Sequence, residues 1–141
     1  MSYKYNLKRF VRIGSRVGSY FISFNKSGFM ISSGFYLKEK IRAFSKVVLY
    51  FDSEKKAVGI EFTNDSDAEG SFALIHGNKR TTGSISARSF VVTYDLNKPE
   101  YFGRKYPKKI DYQGSNIFVI DLLEKEEQGR NDNKNIQNDT F

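Results

Sequence analysis

Cysteine and tryptophan are absent from this chain of 141 residues, and proline occurs only twice. Without cysteine there is no disulfide framework and no thiolate zinc site. Nothing then requires an oxidising compartment, and a cytoplasmic location is expected. No run approaches 18 apolar residues, so no membrane-spanning helix is expected. Met1–Tyr20 lacks the apolar centre of a secretory signal. Catalytic signatures are missing too: there is no Walker-type phosphate loop and no GxSxG. The single histidine, His76, ends an apolar strand without a partner motif, which points to a structural role. Asp52 and Glu61 are spaced loosely as in a metal-dependent nuclease, but Thr63 stands where that core needs lysine. Asp65, Asp67 and Glu69 alternate without the EF-hand order of ligands. The expectation is a protein with no catalytic residue, no metal site and no cofactor.

Aromatics and bases are plentiful. Phe (13) and Tyr (9) make up 16% of the chain, and the net charge is +7. Charge is unevenly distributed. Lys4, Lys8, Arg9, Arg12 and Arg16 face no acid within the first 20 residues. Residues 51–70 are acidic, residues 101–120 are basic again, and the tail after Ile120 is acidic. A positive field of this kind attracts polyanions.

Hydrophobic periodicity divides the chain into a basic N-terminal segment (1–19), one domain (20–123) and a polar, Asn-rich tail (124–141) expected to be disordered. The domain reads as α+β and strand-rich, with about eight short antiparallel strands and two short helices. Strands are expected at 20–25, 29–33, 47–52, 57–63, 71–76, 82–86, 104–111 and 115–122. The first helix is expected at 34–44, capped by Ser33, with Leu37, Ile41 and Phe44 on its buried face. The second is expected at 87–96, capped by Ser86, with Phe90, Val91 and Tyr94 inward.

In this order a strand-strand-helix-strand-strand unit occurs twice, over 20–63 and 71–122. Ile31-Ser32-Ser33 before the first helix parallels Ile85-Ser86-Ala87 before the second. With Gly28-Phe29-Met30-Ile31 as second strand and 36–42 as helix, the half-unit resembles the swapped-hairpin fold of AbrB-type transition regulators. That resemblance implies a pseudo-dimer docking on duplex DNA. In another frame, four strands over 47–86 followed by a helix resemble the repeat of the Pur and Whirly proteins. There, Gly83-Ser84-Ile85-Ser86 precedes a helix containing Phe90. That resemblance implies a curved sheet binding single strands.

Two segments interleave bases with aromatics, the combination that neutralises phosphates and stacks unpaired bases. One runs from Tyr3 to Arg16. The other is Tyr101, Phe102, Arg104, Lys105, Tyr106, Lys108 and Lys109, read as an exposed loop because Gly103 and Pro107 lie within it. Lys79 and Arg80 at a hairpin tip are further candidates. Lys38, Lys40 and Arg42 read as a solvated helix face. The expected function is non-enzymatic nucleic-acid binding, single-stranded DNA or RNA slightly ahead of duplex. The alternative is a protein-interaction or assembly module, binding a protein partner or a second copy through exposed sheet edges.

Overall fold

One side chain closes the first hairpin. Asn25 Oδ1 accepts the backbone N–H groups of Ser27 (2.7 Å) and Gly28 (3.2 Å), turning the chain between β1 (Ile22–Asn25) and β2 (Gly28–Ile31). Gly28 is required here: it has φ +139°, and an added Cβ would lie 2.0 Å from the carbonyl oxygen of Ile85. The computed structural model describes residues 6, 7, 9, 20–65 and 67–124. Lys4, Lys8, Arg12 and Arg16, and the tail beyond Glu124, lie outside the described residues.

The first helix, α1 (Ser33–Lys38), begins one residue before the expected start. Ser32, not Ser33, is its cap; Ser32 Oγ accepts from Phe35 N at 3.2 Å and from Phe21 N at 3.0 Å. The helix also ends early. Lys40 adopts a left-handed φ of 56°, and the chain continues as a 3₁₀ turn at Ile41–Ala43. That break rotates the apolar face, so Phe35, Tyr36 and Ile41 are buried while Leu37 is half exposed. The single helix over 34–44 and the inward Leu37 are both corrected. The second helix, α2 (Arg88–Thr93), is likewise shorter than 87–96; it buries Phe90 and Val91 and leaves Tyr94 exposed. Ala87 rather than Ser86 is at its N-cap and makes no side-chain cap. The run Val91-Val92-Thr93 stiffens χ1 and disfavours a longer helix.

Seven further strands complete the sheet: β3 (Lys46–Asp52), β4 (Ala57–Thr63), β5 (Phe72–Gly77), β6 (Thr82–Ser86), β7 (Gly103–Lys105), β8 (Lys108–Tyr112) and β9 (Ser115–Asp121). The total among the described residues is nine strands rather than eight. The expected strand over 104–111 divides at Tyr106-Pro107, because proline has no N–H for the ladder. All pairings are antiparallel, in the order β7-β1-β2-β6-β5-β3-β4-β9-β8. β7 and β8 stand at opposite ends of that order yet are separated in sequence by only two residues. The sheet is therefore curled, with its first and last strands brought together at Tyr106-Pro107.

Aromatic side chains fill the interior. Phe35 meets the edge of Phe118 at 4.8 Å, Phe24 and Phe29 lie 5.1 Å apart, and Phe90 packs against Phe29 and Phe51. Burying each such ring contributes about 1.5–3 kcal/mol, which is where most of the phenylalanine content is spent. No helix among the described residues is long and apolar enough to cross a membrane.

Candidate nucleic-acid interface

The segment 101–109, read from sequence as an exposed basic loop, is largely structural. Tyr101 ends a 3₁₀ turn (Pro99–Tyr101) and is 7% exposed. Phe102 packs on Phe24, with ring centroids 5.9 Å apart. Lys105 is 1% exposed, and its ammonium donates to the carbonyls of Leu122 (2.9 Å) and Glu124 (2.8 Å). A buried cation survives only where such acceptors replace water. Here they fasten the end of β7 to the end of β9. Tyr106 N donates to Glu124 Oε1 at 3.1 Å and strengthens the same junction. Arg104 lies over the Phe21 ring at 4.3 Å. Lys109 pairs with Glu39 at 3.2 Å and lies over Phe118. Lys108 is exposed. Tyr101 and Lys105 are thus corrected from surface to interior, and Phe102 is partly buried against the core: curling the sheet requires this segment to seal the seam.

A different set of cations comes together. The β5–β6 hairpin ends in Asn78-Lys79-Arg80, three successive non-glycine residues in the left-handed region, with φ of 49°, 58° and 62°. At Lys79 and Arg80 this costs about 1–2 kcal/mol each against ordinary backbone, less at Asn78. The tip is held by Thr81 N bonding Gly77 O at 3.0 Å and by Thr81 Oγ1 bonding Asn78 O at 2.7 Å. Arg80 then donates through its guanidinium to the carbonyl oxygen of Arg42 at 2.9 Å. That bond brings the Arg80 guanidinium, next in sequence to Lys79, against the backbone of the segment that follows α1 and holds Lys40 and Arg42. All four side chains are exposed, and none forms an ion pair among the described residues. Lys38, one turn earlier, is also exposed and lies 5.2 Å over the Tyr20 ring. The sequence shows both groups of bases but no sign that they meet, since 38 residues separate Arg42 from Arg80.

Beneath this surface, His76 ties β5 to the turn after α1. Its Nε2 donates to the carbonyl of Phe44 at 2.8 Å, and Nδ1 then accepts the Tyr36 hydroxyl at 2.6 Å. Because a carbonyl only accepts, this arrangement fits the Nε2–H tautomer. Both ring nitrogens are thus hydrogen-bonded within the fold. The Asp65 carboxylate accepts the Asp67 amide at 2.9 Å, a bond that shapes its own loop. No three His, Asp or Glu side chains converge as a metal site among the described residues.

Exposed aromatics lie elsewhere: Tyr50 on β3 and Tyr112 on β8 share an outer face, and Tyr94 stands at the end of α2. Tyr50 and Tyr112 meet edge to face at 5.7 Å, and Tyr50 lies over Gly59 beside Ile117. The Tyr50 hydroxyl donates to Glu61 Oε1 at 2.6 Å. That hydrogen bond, reinforced by burial, raises the phenol pKa to about 12. Tyr20 is raised further, mainly by burial and then by its bond to Glu39. An acid beside Tyr50 makes this a poor surface for a polyanion. No family model matches the chain, and no curated protein or solved structure matches it.

Proposed function

We propose that this chain is a non-enzymatic nucleic-acid-binding protein. It grips the phosphate backbone with Lys38, Lys40, Arg42, Lys79 and Arg80. The observation that carries this reading is the bond from Arg80 to the Arg42 carbonyl, which joins a strained basic hairpin tip to a second basic segment. Backbone strain persists only where the surroundings hold it, and it concentrates at functional sites. Duplex DNA is favoured over single strands, because Tyr101 is buried and Phe102 packs on Phe24, partly buried against the core. A β-hairpin tip is also a shape that reaches into a duplex groove.

The strand order supports the same reading. Hairpin β1–β2 adjoins β6–β5, then β3–β4, then β9–β8. Hairpins of the two expected units alternate around the sheet, with β2 beside β6 and β4 beside β9. We read this as a duplicated unit whose halves exchange hairpins, the arrangement implied by the AbrB-type resemblance. The turn holding Lys26 is then the counterpart of the Lys79-Arg80 tip.

The test is fluorescence anisotropy with duplex and single-stranded DNA and RNA across a salt series. Removing one phosphate-neutralising side chain should lower the log–log salt slope by about 0.9 on duplex DNA. Replacing Arg42, Lys79 and Arg80 together by alanine should therefore reduce the slope by about 2–3 and weaken duplex binding at least tenfold. Unchanged affinity and slope would sink the proposal.

A further inference from the structure

Among the described residues, the strand β8 is bonded on one side only. It pairs with β9 and closes the strand order, and all five of its residues are exposed. The Gln113-Gly114 turn after it has two positive φ values, 51° and 87°, the pattern of a tight two-residue hairpin. Such a turn is closed by a hydrogen-bonded pair, here Tyr112 with Ser115. By the antiparallel alternation, Tyr112, Ile110 and Lys108 direct their backbone groups to β9. Lys109 and Asp111 therefore direct theirs to the open side. An open edge of this kind is a template for another strand.

The sequence of the edge specifies which strand fits. Lys108-Lys109-Ile110-Asp111-Tyr112 complements itself when a second copy runs antiparallel about Ile110. Lys109, whose ammonium is 3.2 Å from Glu39 in its own chain, then stands opposite the partner's Asp111, whose Oδ1 also accepts the Gly114 amide at 3.1 Å, and the reciprocal pair is the same. Those are the residues whose backbone groups are available, so each such pair forms two ladder bonds. Ile110 meets its own copy at the axis. Lys108 faces the partner's Tyr112, a cation beside an aromatic face. A register shifted by two residues sets Lys109 against the partner's Lys109 and is disfavoured. The neighbouring apolar surface, Tyr50 with Ile110 and Tyr112, is 37–44% exposed in the single chain and would be continued across the axis.

We propose that two copies of this chain associate through their β8 strands, antiparallel and centred on Ile110, into one continuous sheet. This surface is separate from the basic one, and the test uses nucleic-acid-free protein, so its failure leaves the nucleic-acid reading untouched. Sedimentation velocity from about 10 to 300 µM should show a monomer–dimer equilibrium. Lys109→Asp and Asp111→Lys should each be monomeric, since each sets like charges opposite one another. An equimolar mixture of the two should recover the dimer, because both cross-strand pairs are again of opposite charge. A second measurement avoids any effect of these changes on folding. The chain has no cysteine of its own, so Ile110→Cys carries a single thiol, about 4.5 Å in Cα distance from its copy at a non-hydrogen-bonded pair. It should form a disulfide dimer under mild diamide oxidation. Lys108→Cys, about 14 Å from its copy at the strand rise, should not. A wild-type monomer at every concentration, variants that dimerise as the wild type does, or equal cross-linking at 108 and 110 would each overturn the proposal.

Discussion

Two basic stretches of this chain look alike as sequence and differ as structure. Around Lys79-Arg80 the bases stand on a strained tip, fastened to Arg42 by one backbone carbonyl and open to solvent. From Tyr101 to Lys109 the bases and rings are used by the fold itself: Tyr101 and Lys105 are buried, and Lys109 is paired to Glu39. Basic-aromatic spacing therefore does not report availability. What decides is whether the segment must close the sheet. The 101–109 segment links the two ends of the strand order and cannot leave that seam. The tip joins two adjacent strands and is free to carry charge.

The seam is where a substitution should cost most. Tyr101→Ala should lower the unfolding free energy by about 3–5 kcal/mol, the usual cost of emptying a buried aromatic site. Urea unfolding checks it, and the salt slope of nucleic-acid binding by the folded protein should not change. A normal stability with lost binding would reverse the assignment of the two stretches.

A smaller effect of the opposite kind is expected at the tip. Lys79→Gly relieves a left-handed residue, offset in part by the greater freedom of the unfolded chain. It should raise stability by up to about 1 kcal/mol while weakening duplex binding. Thermal melts beside anisotropy measure both. A tip that gains affinity on gaining stability would mean the strain serves no ligand.

The least effect is expected at Tyr50, an exposed aromatic outside the basic surface. Its phenol is raised to about 12 by its bond to Glu61 and by burial. A folded pKa above the unfolded value of 10 means that this contribution is complete below pH 10 and is lost as pH rises toward 12. Tyr50→Phe should remove that part of the alkaline loss of stability, seen in urea midpoints between pH 9 and 12. Its duplex affinity at neutral pH should equal that of the wild type.

Much of the architecture is legible in local pattern. The strands 57–63 and 82–86 have the boundaries expected from sequence: Val58, Ile60 and Phe62 alternate in the first, and turn residues flank both. The Gln113-Gly114 hairpin is legible for the same reason. The helices are shorter than periodicity suggests. Lys40 in the left-handed region ends the first regular turn, and no residue type announces that conformation at a lysine. The site is legible only as parts. Lys79, Arg80 and the bases of 38–42 stand out in the sequence, but their meeting depends on a hydrogen bond between residues 38 apart.

Residue type and short-range period are enough to establish the class of the protein: a strand-rich α+β domain rich in phenylalanine, with an excess of base and no cysteine. Those properties are local, so the linear chain carries them in full. Which bases face water is a matter of tertiary structure. Whether a lysine meets solvent or two carbonyl oxygens depends on where the curled sheet brings its ends together. Lys105 and Lys79 have the same side chain, and only the closure of the strands makes one a buried staple and the other an exposed charge.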